Sequence, residues 1–264
     1  MSTRVIAVGI GGASSTGKTT LAKQLSAVLP NCTTVHQDDY WSSPEECVTH
    51  PLYNEPYLDD PPTAINWPLF RARVRRLKTV TDDLEIPRWG DESDDTTSFN
   101  RDGSPQKFGK LPDNVTAEWI QRFHELDKEY RSQGIQIKWC IVEGWHLYYD
   151  PKVVEELDLR LLIRCPSIVL RKRKEKRGYK QKDGSIRADP PYYWDHFSYP
   201  AYVRSHSHLF HGEMDTGPLS AEAESTGVIL LEGEGIKQNL SCSELFQHAA
   251  TAILLMGRSQ LESK

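Results

Sequence analysis

Gly12-Ala13-Ser14-Ser15-Thr16-Gly17-Lys18-Thr19 fits the spacing G-x-x-x-x-G-K-[ST] at every fixed position. A glycine-rich turn of this kind lets backbone N–H groups close around phosphate oxygens, and a helix that starts directly after it adds the positive end of its dipole. Lys18 is expected to reach the β- and γ-phosphates of a nucleoside triphosphate, and the Thr19 hydroxyl to hold Mg²⁺. Thr20 belongs to the same site. Three further groups suit phosphoryl transfer. Gln37-Asp38-Asp39-Tyr40-Trp41 carries adjacent carboxylates, one of which can take a proton from a hydroxyl and help to hold Mg²⁺. Ile141-Val142-Glu143-Gly144 ends an apolar run in an acid, the place of a carboxylate that positions Mg²⁺-bound water or the nucleophile. Arg171-Lys172-Arg173-Lys174-Glu175-Lys176-Arg177-Gly178-Tyr179-Lys180 is a cationic stretch fit to close over a triphosphate, with Gly178 as a natural hinge.

These groups need elements that bring them to one edge. Residues 4–10 read as a buried parallel strand, and Leu21, Leu25 and Leu29 place a helix over 18–29 that Pro30 ends. A short strand at Thr33–His36 delivers Asp38 and Asp39 to the loop's edge if the sheet is parallel, since ligands there sit beyond the carboxyl ends of the strands. Further strands are predicted up to Gly144, over Leu159–Arg164 and over Gly227–Gly233. Asn66 is the expected N-cap of a helix with Pro68 in its first turn; Thr116 is expected to cap another, and Ser241 or Ser243 the last. Residues 42–62 read as a flap over a small substrate, and 80–114, with the acidic run Asp91–Asp95, as an exposed segment. Asp189 to Asp195 is an aromatic loop that serves as core or as a wall against a ring.

The bulk numbers exclude some classes. The chain has 264 residues and a net charge of −5, with no basic tail, which argues against general nucleic-acid binding. Five scattered cysteines form no C-x-x-C, which suits a reducing compartment without structural zinc. No apolar run reaches the roughly 18 residues that span a bilayer. With the phosphate loop beginning at Gly12, no cleavable leader is expected. The expectation is a cytoplasmic protein, with the nucleus as a second compartment, working as a monomer or weak homo-oligomer.

With these motifs together, the chain resembles the nicotinamide riboside kinases (ribosylnicotinamide kinases) of the fungal kind, over roughly 4–78 and 138–250. The run from Asn31 to Tyr40 and that from Arg171 to Pro200 carry the resemblance most specifically. It implies an α/β P-loop NTPase fold: a five-stranded parallel sheet, order 2-3-1-4-5, with helices on both faces and a basic lid. One kinase domain would span 1–264, with an insertion about 79–115 and a lid about 171–190. The implied reaction moves the γ-phosphate of ATP to the 5′-hydroxyl of nicotinamide riboside, and also of nicotinic acid riboside, in NAD salvage. Asp38 corresponds to the general base, sharing Mg²⁺ with Thr19, and Asp38, Asp39, Tyr40 and Trp41 to the substrate turn. Asp60 matches a carboxylate on ribose hydroxyls, Arg173 and Arg177 match lid residues on ATP, and Tyr179 matches an aromatic on the pyridine ring. Lys174 and Lys180 complete the acceptor side.

The chain departs from the family pattern in three places. Lys174 stands where Arg is more usual, so a bidentate contact becomes a point charge. Asp59 stands where an aromatic often completes the ring sandwich, leaving Tyr57 or Trp41 to replace it. Residues 79–136 are longer than in the shorter relatives, without an assigned role. Aromatic faces (Tyr57, Tyr179) and carboxylates (Asp59, Asp60) both suit a cationic pyridinium riboside. A uridine–cytidine type of kinase shares everything but the base pocket. A nucleotide-dependent switch wants D-x-x-G and N-K-x-D, and neither occurs.

Overall fold

In a computed structural model, residues 2–78, 99–106, 109–181, 183–235 and 240–262 are described. The acidic run Asp91–Asp95 lies outside them. Five strands form the sheet: β1 (Ser2–Gly12), β2 (Cys32–His36), β3 (Ile135–Gly144), β4 (Leu159–Arg164) and β5 (Val228–Glu232). All pair in parallel in the order β2-β3-β1-β4-β5, the order that the resemblance implies. β1 and β3 read as near-continuous apolar runs because helices cover both faces. On one face, Ile6, Val8, Ile10, Ile137, Trp139 and Ile141 pack under α1 (Lys18–Val28), α3 (Asp113–Ser132) and α6 (Cys242–Glu262). On the other, Ala7, Val35, Cys140 and Val142 join the core of α2 (Trp67–Leu77) and α5 (Tyr199–His206).

Local signals explain most boundaries. Asn66 caps α2, its side chain accepting from the Leu69 amide at 3.2 Å, with Pro68 in the first turn. Ser241 caps α6 in a reciprocal box, its amide donating to Glu244 at 2.8 Å and its hydroxyl accepting from the Glu244 amide at 3.3 Å. Thr116 is not a cap: α3 starts at Asp113, three residues earlier, and the Thr116 hydroxyl donates back to the Pro112 carbonyl at 3.3 Å. No helix among the described residues is long and apolar enough to cross a membrane.

The cationic stretch divides in two. Its first half is helix α4 (Ser167–Lys176). Its second half is a strand, Arg177–Lys180, set between Ile186–Arg187 and Phe99–Asn100, both antiparallel to it. The end of the insertion therefore completes the lid's own small sheet. Gly178 serves close approach here: a Cβ on it would meet Ile186 Cγ2 at 2.5 Å and the Asn100 carbonyl at 2.7 Å.

The turn that follows β2 rests on α2. Tyr40 meets the Phe70 ring at 5.3 Å between centroids, and Phe70 in turn meets Trp67 at 6.1 Å. Phe70 is fully buried. Phe70→Ala is expected to cost about 3–5 kcal/mol in urea unfolding; a loss below about 1 kcal/mol would contradict this placement of the core.

Candidate active site

The P-loop joins β1 to α1. Gly17 adopts φ +99°, a left-handed conformation that favours glycine, and occupies the N-cap of α1 without a side-chain cap bond. The first amides of α1 are thus left to a ligand, where an anion gains from both the N–H groups and the dipole. Thr16 and Lys18 both donate to the Ala13 carbonyl, at 2.9 and 3.0 Å, which holds the loop closed.

Glu143 ends β3 and is 4% exposed. In the parallel register it lies opposite Ile10 on β1 and His36 on β2. One of its oxygens accepts from the Thr19 hydroxyl at 3.0 Å and pairs with His36 Nδ1 at 2.8 Å. Burial works to raise the Glu143 carboxyl, but His36, Lys18 and Thr19 outweigh it and hold it ionised below the usual range. The His36 bond raises the imidazole's proton affinity above its ordinary value. Burial lowers Lys18 against the opposing pull of Glu143 and Asp38.

Asp38 sits on the turn beyond β2, open to the cleft. Enclosure by the cleft walls, and then the Glu143 charge, raise its carboxyl above the ordinary aspartate range. Thr19, Asp38 and Glu143 offer a hydroxyl and two carboxylates, hard oxygen donors of the type that Mg²⁺ takes alongside phosphate oxygens. Among the described residues no group of three or more His, Cys, Asp or Glu is arranged to hold a metal by itself. A cation here would take much of its shell from phosphates and water.

One cleft of about 1440 Å³ runs over these groups. Ser14, Ser15, Thr16, Gly17, Lys18, Thr19 and Thr20 line it on the loop side, with Asp38, Trp41, Asp59 and Glu143 beyond the sheet edge, and Arg173, Lys174, Arg177 and Tyr179 from the lid. Arg173 donates to the Ser15 carbonyl at 3.0 Å and pairs with Glu234 at 2.6 Å, tying lid to loop.

Several expected residues do not line it. Gly12 and Ala13 form the loop's base, with Ala13 buried. Gly178 is enclosed between its two partner strands, and Lys180 turns outward over the Phe99 ring at 5.6 Å. Tyr40 belongs to the core with Phe70, and Asp39 is half-buried beside it on the turn. Tyr57, within the flap, is buried, its hydroxyl donating to the Phe197 carbonyl at 3.0 Å, so of the two proposed replacements only Trp41 reaches the cleft. Asp60 is taken up by Arg204 and by the Thr63 hydroxyl, and its neighbour Asp59 faces the cleft instead.

Other residues join the site. Tyr193, from the aromatic loop, lines the cleft with one face stacked on Phe197 at 4.8 Å and 5°. Trp145 lies against Trp41 at 5.4 Å; a bulky side chain just past Glu143-Gly144 was its signal. Arg187, Asp189 and Ser198 line the cleft from the lid and beyond, and Asn100, Gln106 and Lys110 from the insertion. His36 carried no motif; only its register opposite Glu143 reveals it.

No family model matches the chain. The nicotinamide riboside kinase of Eremothecium gossypii is 32% identical over 206 residues, covering 77% of this chain and 76% of that protein. The Saccharomyces cerevisiae nicotinamide riboside kinase is 31% identical over 212 residues, covering 79% and 80%. A solved structure titled as a possible uridine kinase from Bacillus stearothermophilus aligns at TM-score 0.39 with 17% identity, over 76% of this chain and 83% of that one.

The His36–Glu143 pair has a pH signature. His36's folded value is raised, so its share of the stability is whole below the unfolded value of 6.5 and is lost as pH rises through the folded value. Glu143's is depressed, so its share is lost as pH falls through the folded value. An NMR titration should find the His36 ring titrating above 6.5, and Glu143→Gln should bring it down; an unchanged midpoint in that variant would rule the pairing out. A strand-end carboxylate bound to the P-loop threonine, a carboxylate turn beside it and a cationic lid are all carried by a sequence that matches the fungal enzymes over three quarters of its length, and the chain belongs to the nicotinamide riboside kinase family.

Proposed function

We propose that the protein phosphorylates the 5′-hydroxyl of nicotinamide riboside with ATP and Mg²⁺, giving the mononucleotide, and takes nicotinic acid riboside as a second acceptor. The observation that carries this reading is Asp38 lining one cleft with Lys18 and Thr19, in a chain whose relatives are named for that acceptor.

Each residue's part follows from its surroundings. The triphosphate lies along Ser14 to Thr20, with its terminal phosphates against Lys18, Arg173 and Arg177. Thr19 and Asp38, with Glu143 behind them, would hold Mg²⁺, which would neutralise charge on the phosphates. Glu143 fixes the Thr19 hydroxyl, since that hydroxyl donates to it. Asp38 accepts the acceptor's hydroxyl proton. Its raised proton affinity makes it a stronger base than an ordinary aspartate. Trp41, Tyr179 and Tyr193 offer ring faces to the base, and Asp59 offers a negative charge. Catalysis is then chiefly positioning and electrostatics, with no covalent work by the protein.

Offered a panel of nucleosides with ATP·Mg²⁺, the enzyme should show its highest kcat/KM for nicotinamide riboside; a preference for uridine or cytidine would sink the assignment. Asp38→Asn should lower kcat by about 10²-fold or more. In the wild type, the acid limb of the rate profile should lie above the ordinary aspartate value of 3.8. A near-wild-type rate in Asp38→Asn would move the base to another residue.

A further inference from the structure

Asp59 is buried at 7% exposure, yet lines the cleft. Its carboxylate accepts from two uncharged donors, the Ser198 hydroxyl at 2.5 Å and the Tyr193 hydroxyl at 3.3 Å. Among the described residues no cation forms an ion pair with it. The positive charge that acts on it most is Lys174. Lys174, however, is already engaged: its ammonium lies 3.0 Å from the Asp189 carboxylate and 2.7 Å from the Tyr179 hydroxyl. It sits 5.3 Å from the Tyr179 ring centroid. With the hydroxyl so close, that contact is at the ring's edge, and the Arg177 guanidinium lies 5.1 Å from the same centroid. Burial alone would lower Lys174, but Tyr179, Asp59 and Asp189 outweigh it and hold the ammonium charged.

Two carboxylates therefore meet one ammonium, leaving one negative charge over in a poorly hydrated wall. A buried carboxylate without a full partner is costly. Burial raises the Asp59 carboxyl for that reason. A cationic ring stacked beside Tyr193 supplies the missing charge. A neutral ring of the same shape stacks as well and leaves the deficit.

We infer that Asp59 makes this site read the positive charge of the acceptor's ring, selecting N-ribosylated pyridinium cations over neutral ribosides of the same shape. The inference deepens the acceptor reading above and rests on it. It also gives a purpose to the carboxylate that stands where the family pattern has an aromatic: charge pairing replaces one half of a ring sandwich.

The test compares nicotinamide riboside with benzamide riboside, which has the same outline with carbon in place of the charged ring nitrogen. The wild-type enzyme should favour the cation by about 10-fold or more in kcat/KM, carried by KM. Asp59→Asn should bring the two acceptors within about 3-fold of each other, by raising KM for the cation while kcat holds within about 3-fold. The wild-type KM for the cation should also fall as pH rises through the Asp59 titration, while that for benzamide riboside stays flat. Asp189→Asn, on the lid, serves if Asp59→Asn does not fold, and should narrow the preference in the same direction. Equal KM values for both acceptors in the wild type, or a preference unchanged in every folded variant, would overturn the inference and leave the kinase reading standing. Turnover of uridine with neither pyridine-shaped riboside accepted would overturn both.

Discussion

The fold converges on one buried carboxylate. Glu143 ends the strand that lies between β1 and β2, so its side chain is within reach of the P-loop helix on one side and of β2 on the other. Taking a carboxylate out of water is costly unless each lone pair finds a donor. Thr19 and His36 both meet one of its oxygens, and Lys18 supplies a nearby positive charge. Satisfying Glu143 therefore fixes the hydroxyl expected to meet the metal, the register of β2 against β3, and through β2 the start of the turn that carries Asp38. Burial, and then the Glu143 charge, raise the proton affinity of Asp38.

The lid answers the other end of the cleft. Its helix ties to the P-loop through Arg173, and its strand is held on both edges, by Ile186–Arg187 and by Phe99–Asn100. A two-stranded hairpin alone is marginal in water, and a third strand steadies it. The insertion thereby gains a structural part that its composition did not suggest: its far end braces the cationic wall, and Asn100, Gln106 and Lys110 extend the cleft.

Much of this was legible in the residues. The P-loop spacing, the apolar parallel strands, the carboxylate turn and the strand-end Glu143 are local patterns whose physics does not depend on distant partners. Asn66 and Ser241 announced their helices for the same reason. What failed to show depends on side-chain direction and register. Neither sequence nor spacing distinguishes Asp59 from Asp60; Arg204 and Thr63, one of them 144 positions away, capture Asp60 and leave Asp59 to the cleft. Tyr40 and Tyr57 look like Trp41 in a motif, yet Phe70 and Phe197 draw them into the core. His36 has no motif, and becomes visible only when β2 and β3 are adjacent. Gly178 suggested a hinge, while strand contact on both sides gives the glycine a steric reason.

The central claim is that the cleft joins a triphosphate to a riboside hydroxyl, with Asp38 taking the proton. It is tested most directly by ³¹P NMR of the enzyme turning over ATP·Mg²⁺ with nicotinamide riboside. A new phosphate monoester resonance, split by the two 5′-methylene protons and growing in step with ADP, is the predicted result. ADP accumulating with inorganic phosphate alone, or a monoester on another hydroxyl, would contradict it.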